Sequence, residues 1–198
     1  MGEPVTILAF GDSLTQGYGL PASDGFVPQL EAWLAERGAE VELINAGVSG
    51  DTTAGGVSRI DWALGDGIDG VIVALGGNDL LRGTPIDSVE ENLDTILGRI
   101  DAKGLPALLV GYKATPNYGP DYKEGFDALF PKLAERHDVR LMPYIFRGMA
   151  QAVDAGEAER AALFQPDGIH PNARGVKLNV AEIGPYVLDL IEDVEARS

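Results

Sequence analysis

Ser13 stands in the stretch ILAFGDSLTQGYG, from Ile7 to Gly19, where an apolar run stops at a glycine and a polar turn follows. Taken alone, a serine after Gly-Asp is a turn or cap residue as readily as a nucleophile. Three other blocks change its meaning. Gly47 lies in NAGVSGDT, Asn78 in GGND, and Asp167 and His170 in DGIHP. Acyl transfer needs a nucleophile, a base that takes its proton, and a group that orients the base. Ser13 offers the hydroxyl, His170 the imidazole, and Asp167 a carboxylate that can accept from the imidazole Nδ1–H and fix its tautomer. The tetrahedral oxygen needs donors as well. The N–H groups of Ser13 and Gly47 and the amide of Asn78 can supply them, and a glycine lets its N–H approach substrate closely.

Each residue also has a plainer reading. Asn78-Asp79 suits a loop or a cap. Asp167, between Pro166 and Gly168, suits a turn. His137, in AERHD at the charged end of a helical stretch, reads as a surface histidine. The conjunction of the blocks, in one order along one chain, favours catalysis over a set of unrelated turns.

These residues must be positioned by something, and the apolar pattern says what. Val5–Phe10, Val41–Ala46, Gly70–Leu75, Leu105–Gly111 and Val139–Tyr144 are short apolar runs that read as strands. Between them, apolar residues recur at helical spacing: Phe26, Leu30, Trp33 and Leu34; Val57, Ile60 and Leu64; Val89, Leu93, Ile96, Leu97 and Ile100; Phe126, Leu129, Phe130 and Leu133. A long C-terminal helix follows from Val176 to Val194, with Pro185 expected to bend it. Strands alternating with helices call for a parallel sheet covered on both faces. In such sheets the ligand crevice lies outside the carboxyl ends of the strands. Ser13, Gly47 and Asn78 each follow a strand, and Asp167 and His170 lie in a loop that can reach the same edge. No repeat or linker divides the 198 residues, so a single domain, 1–198, is expected.

Composition narrows the chemistry further. The chain has no cysteine, which excludes disulfides and thiolate catalysis, and only two histidines, so a His-rich catalytic metal site is not expected. No Walker A motif is present, and Gly17-Tyr18-Gly19 does not continue into a dinucleotide fingerprint. GDSLT also departs from the G-x-S-x-G elbow, with Thr15 at the second glycine position. The net charge of −16 argues against nucleic acid and anionic membranes as partners. Its acidic residues are spread along the chain, which suits a solvated surface and, as a sharper expectation, tolerance of high salt. No apolar run reaches the roughly 20 residues that span a bilayer. Met1 to Pro4 does not read as a signal peptide, so localisation stays open: periplasmic or secreted if a leader was removed, cytoplasmic otherwise.

The blocks GDSLT, NAGVSGDT, GGND and DGIHP resemble those of the SGNH hydrolases, the GDSL esterase/lipase family. In this resemblance the family letters correspond to Ser13, Gly47, Asn78 and His170, with Asp167 completing the triad. LRGTP after Asn78 and PNYGPDYKEGF at Pro116–Phe126 are similar to the bacterial thioesterase I, lysophospholipase and arylesterase subgroup. The resemblance implies a flavodoxin-like, three-layer α/β/α sandwich with a five-stranded parallel sheet. It implies hydrolysis of carboxylic esters and thioesters without a cofactor or a metal, and the subgroup is commonly exported to the periplasm. The expected substrate is a small-molecule ester or thioester with a short or medium acyl chain. Leu80 and Leu81 are expected to line an acyl groove, and Ile169 and Phe164 to form another apolar wall. A carbohydrate acetyl-esterase and an inactive ligand-binding relative are the alternatives, and the expected assembly is a monomer or weak oligomer.

Overall fold

The computed structural model describes residues 4–197. Its centre is a five-stranded, all-parallel sheet in the order β2-β1-β3-β4-β5. The strands are β1 (Val5–Gly11), β2 (Val41–Gly47), β3 (Gly70–Ala74), β4 (Ala107–Val110) and β5 (Arg140–Met142). The inner strands are apolar at nearly every position because both faces are covered. Their side chains alternate between two cores. Leu8, Phe10, Val71, Val73 and Leu109 face the layer of α3 (Thr53–Ala63), α5 (Ile86–Asp101) and α6 (Pro120–Arg136). Ile7, Ala9, Ile72, Leu108 and Val110 face α2 (Phe26–Ala35) and α8 (Ala173–Glu195). This is the expected α/β/α sandwich.

The last two strands in sequence, β4 and β5, are shorter than the apolar runs that announce them. Pro106 precedes β4 and Pro143 follows β5, and neither residue can donate to a ladder. Three helices escape the periodicity: α1 (Ser13–Gln16), α4 (Gly77–Arg82) and α7 (Arg147–Asp154). The first two are too short to show a period, and α7 offers only Met149 and Val153 as larger apolar residues. Helix α8 continues through Pro185. Pro185 and Ala181 are both exposed, so the carbonyl that the ring deprives of a donor can be solvated. His137 is not the free surface residue that the sequence suggests. It is half-buried, with Nε2 2.9 Å from Asp94 Oδ1, where it ties α6 to α5. Among the described residues, no helix is long and apolar enough to cross a membrane.

Candidate active site

Strand β1 delivers Ser13 to the carboxyl edge of the sheet. Asp12 caps α1, its Oδ1 accepting from the Leu14 N–H at 2.9 Å, and Ser13 is the first helical residue. Gly11 makes the turn possible, since a Cβ there would lie 2.0 Å from Thr15 Oγ1. The helix has only four residues, so its dipole is a small aid at most.

His170 arrives from the other end of the chain. Phe164 and Pro171 form an isolated antiparallel bridge, and the Gln165 N–H donates to the His170 carbonyl at 2.7 Å. Gly168, at φ 69°, closes the turn between them. The Gln165 amide donates to the carbonyls of Tyr18 and Pro171, at 2.8 and 3.0 Å, and so fastens the turn to the segment after α1. The result is a continuous relay. Ser13 Oγ lies 2.9 Å from His170 Nε2, and His170 Nδ1 lies 2.6 Å from Asp167 Oδ2. The other Asp167 oxygen accepts from the N–H groups of Ile169 and His170, at 2.9 and 3.0 Å. The imidazole hydrogen bond, with help from those two N–H donors, holds the Asp167 carboxyl down at about 2. An ionised carboxylate only accepts, so Nδ1 carries the proton and Nε2 is left to accept from the Ser13 hydroxyl. Ser13 itself is 8% exposed, enough to be reached from the cleft.

The oxyanion side departs from expectation at one residue. Gly47 is not brought to the cleft. Its N–H donates to Asn45 Oδ1 at 3.0 Å, and a Cβ there would lie 2.3 Å from the Gln16 amide nitrogen. Gly47 lets α1 lie on the end of β2, which is a packing task. The neighbouring Gly50, in the same NAGVSGDT block, lines the cleft together with Ser13 and Asn78. It takes φ 79°, and its N–H has no hydrogen-bond acceptor among the described residues. The sequence held both glycines, but only the fold separates them.

Asn78 is held by its own amide, which donates to the Asp51 carbonyl at 2.8 Å and to Asp12 Oδ2 at 3.4 Å. Arg59 on α3 supports this arrangement from below. Its guanidinium donates to Asp51 Oδ2 at 2.8 Å and to the carbonyls of Ala46 and Gly11, each at 2.9 Å, while lying over the Phe10 ring. One side chain thus joins the ends of β1 and β2 to the loop that orients Asn78. Asp79 fixes the start of α4 by accepting from the Thr53 N–H and hydroxyl, both at 2.8 Å. Burial pushes Asp12 up to about 6, against the opposing pull of the Leu14 N–H. Tyr112, fully buried beside it, is raised well above the usual phenol value by that burial and by the nearby carboxylates of Asp12 and Asp79.

These two sides face each other across a cleft of about 670 Å³. All four residues expected to contact substrate line it: Leu80 and Leu81 on α4, and Phe164 and Ile169 beside the base. Leu81 is 60% exposed, so it rims the cleft, whereas Leu80 also packs on the core. Sequence reasoning missed Tyr112, Lys113, Tyr144, Phe146 and Arg160, which line the same cleft.

Comparison with known proteins agrees with this geometry. The family model of the GDSL-like lipases and acylhydrolases matches residues 9–178. The chain belongs to that family. It is 35% identical to esterase TesA of Pseudomonas aeruginosa, over 84% of this chain and 79% of the relative. It is 36% identical to thioesterase 1/protease 1/lysophospholipase L1 of Escherichia coli K12, over 84% of this chain and 76% of the relative. Among solved structures it is similar to the SGNH-hydrolase family esterase AlinE4, with a TM-score of 0.76 and 43% identity over 96% of this chain and 97% of that one. The family assignment fits the relay from Ser13 to Asp167 and adds nothing that the geometry opposes.

Proposed function

We propose that this GDSL esterase hydrolyses carboxylic esters, and thioesters, of short to medium acyl chains through an acyl-enzyme on Ser13. The observation that carries the reading is the unbroken hydrogen-bond relay from Ser13 Oγ through His170 to Asp167. His170 Nε2 takes the Ser13 proton as Oγ attacks the acyl carbonyl. The negative oxygen forms against the N–H groups of Ser13 and Gly50 and the Asn78 amide, with Gly50 rather than Gly47 as the second backbone donor. The amide hydrogen that now reaches Asp12 over 3.4 Å is the one free to turn to the oxyanion, because its present bond is long. His170 then returns the proton to the leaving oxygen or sulfur, and the carbonyl–leaving-group bond breaks. Water attacks the acyl-enzyme with His170 again as base, and the acid departs as Ser13 regains its proton. Leu80 and Leu81 form the acyl wall on one side, and Ile169 and Phe164 close the side near the base.

The test is a panel of p-nitrophenyl esters from acetyl to palmitoyl, with acyl-CoA and acetylated xylan beside them. Highest kcat/KM at short or medium esters is expected. Preference for acetylated xylan would replace this reading with a carbohydrate acetyl-esterase. Ser13→Ala should lose more than about 10⁴-fold in kcat with an unchanged circular dichroism spectrum, and no turnover by the wild type would make the chain a ligand-binding relative.

A further inference from the structure

Asn78 and Arg82 lie four residues apart on α4, so they project from the same side of the helix. Both donate to one short loop. The Asn78 amide reaches the Asp51 carbonyl at 2.8 Å, and the Arg82 guanidinium reaches the carbonyl of the preceding residue, Gly50, at 3.0 Å. A basic side chain in the last turn of a helix ordinarily serves that helix's own carbonyl end. Arg82 instead crosses to the segment that carries an oxyanion donor.

Gly50 has little else to hold it. It takes φ 79°, and a Cβ placed on it would meet nothing within 4 Å, so packing does not fix its position. The Asp51 N–H donates to the Val48 carbonyl at 3.1 Å, which closes the turn around Gly50 without gripping Gly50 itself. The element on the other side is firmly mounted. Asp79 anchors the start of α4 on Thr53. The Tyr118 and Tyr122 hydroxyls donate to the carbonyls of Leu81 and Thr84, each at 2.9 Å. The Tyr118 ring also lies against Gly83, where a Cβ would come within 2.6 Å of it. A side chain that stands on a fixed element and grips a loose one sets the position of the loose one.

We propose that Arg82 is a positioning residue of the oxyanion hole, holding the Gly50 peptide at the distance from Asn78 that the tetrahedral oxygen needs. The proposal rests on the esterase reading of Ser13 and on Gly50 as a backbone donor. In this role Arg82 does not touch the substrate. Its bond to the Gly50 carbonyl restrains rotation about Gly50 and so keeps the adjoining N–H aimed at the cleft. A misaimed donor weakens the developing oxyanion far more than the ground-state carbonyl, so the effect belongs in kcat rather than in KM.

Arg82→Met and Arg82→Lys, assayed on p-nitrophenyl butyrate, test the role. Arg82→Met should lower kcat about tenfold, with KM within about twofold of wild type. Its melting temperature should hardly move, because the side chain is exposed. Inhibition by butylboronic acid, whose tetrahedral adduct on Ser13 places an oxygen in the same hole, should weaken in step with kcat. Arg82→Lys keeps one donor able to reach the carbonyl and should recover most of the loss. The loss in Arg82→Met should persist at molar salt, as a position does and a long-range field does not. Adding Arg82→Met to Gly50→Ala should cost little more than Gly50→Ala alone, whereas adding it to Asn78→Ala should cost its full factor. An Arg82→Met enzyme with wild-type kcat, a loss confined to KM, a loss abolished by salt, or full additivity with Gly50→Ala would each overturn the role. An active wild type with an unaffected variant sinks only the part given to Arg82. A wild type that hydrolyses no ester brings down the esterase reading, and this role with it.

Discussion

Asp167 and His170 sit three residues apart on an exposed turn, held largely by hydrogen bonds within that turn and by the Gln165 side chain. Asp12, Gly50 and Asn78 come from segments after three different strands, and their bonds run into Arg59, Asp51 and the carbonyls of β1 and β2. The proton-transfer side is thus local and solvent-facing, whereas the oxyanion side is distributed and part of the sheet edge. A local device can lose a member without disturbing the fold. A distributed one cannot, because each removed donor or acceptor leaves partners unsatisfied in a drier place.

The sharpest test of that contrast is Asp167→Ala. It should lower kcat by about 10³–10⁴-fold, because the imidazole loses its tautomer lock. The melting temperature should stay close to that of wild type. A large fall in stability would show that the turn is tied to the core more firmly than its exposure suggests. Asn78→Ala should lower kcat by about 10²–10³-fold. It should also destabilise by about 1–3 kcal/mol, since the Asp51 carbonyl and the buried Asp12 carboxyl lose their donor. A kinetic loss of tenfold or less would assign the oxyanion to the two backbone donors.

Asp12 extends the contrast to pH. Its folded-state value, about 6, lies above the ordinary 3.8, so the native state binds this proton more tightly than the unfolded chain does. Its stabilising contribution is therefore full below about pH 4 and is lost as pH rises through about 6, a change of roughly 3 kcal/mol. Asp12→Asn keeps an acceptor for the Leu14 N–H and removes the titration. Thermal melts of the two proteins from pH 4 to 7 should diverge by that slope, and parallel profiles would move the raised group elsewhere.

The two glycines give the smallest and most diagnostic effects. Gly47→Ala should cost about 2 kcal/mol or more in stability, because its Cβ meets the backbone of α1. Gly50→Ala has open space for the Cβ and should cost only about 1 kcal/mol for its positive φ. It should nevertheless lower kcat more than it lowers stability, as the donor N–H shifts. If Gly47→Ala instead kept its stability and lost kcat selectively, the donor would be returned to Gly47.

By itself the sequence pointed to the three residues of the hydrogen-bonded relay and to the layered sheet. Ser13, Asp167 and His170 were legible because acyl transfer admits few residue types in those roles. The strands were legible because a parallel sheet covered on both faces needs unbroken apolar runs, and Ile7–Phe10 and Val71–Ala74 provide them. Only the tertiary structure decided between Gly47 and Gly50. Composition does not reveal which glycine turns its N–H to the cleft and which lies beneath a helix. It also decided the aromatic and cationic wall. Lys113, Tyr144, Phe146, Arg160 and Phe164 are scattered over some fifty positions and follow no period. They share one cleft because β4, β5 and the Phe164–Pro171 bridge end on the same side of the molecule. Residue type carries the chemistry and can be read in one dimension. Direction and neighbourhood arise only when strand ends that are distant in sequence are brought to one edge.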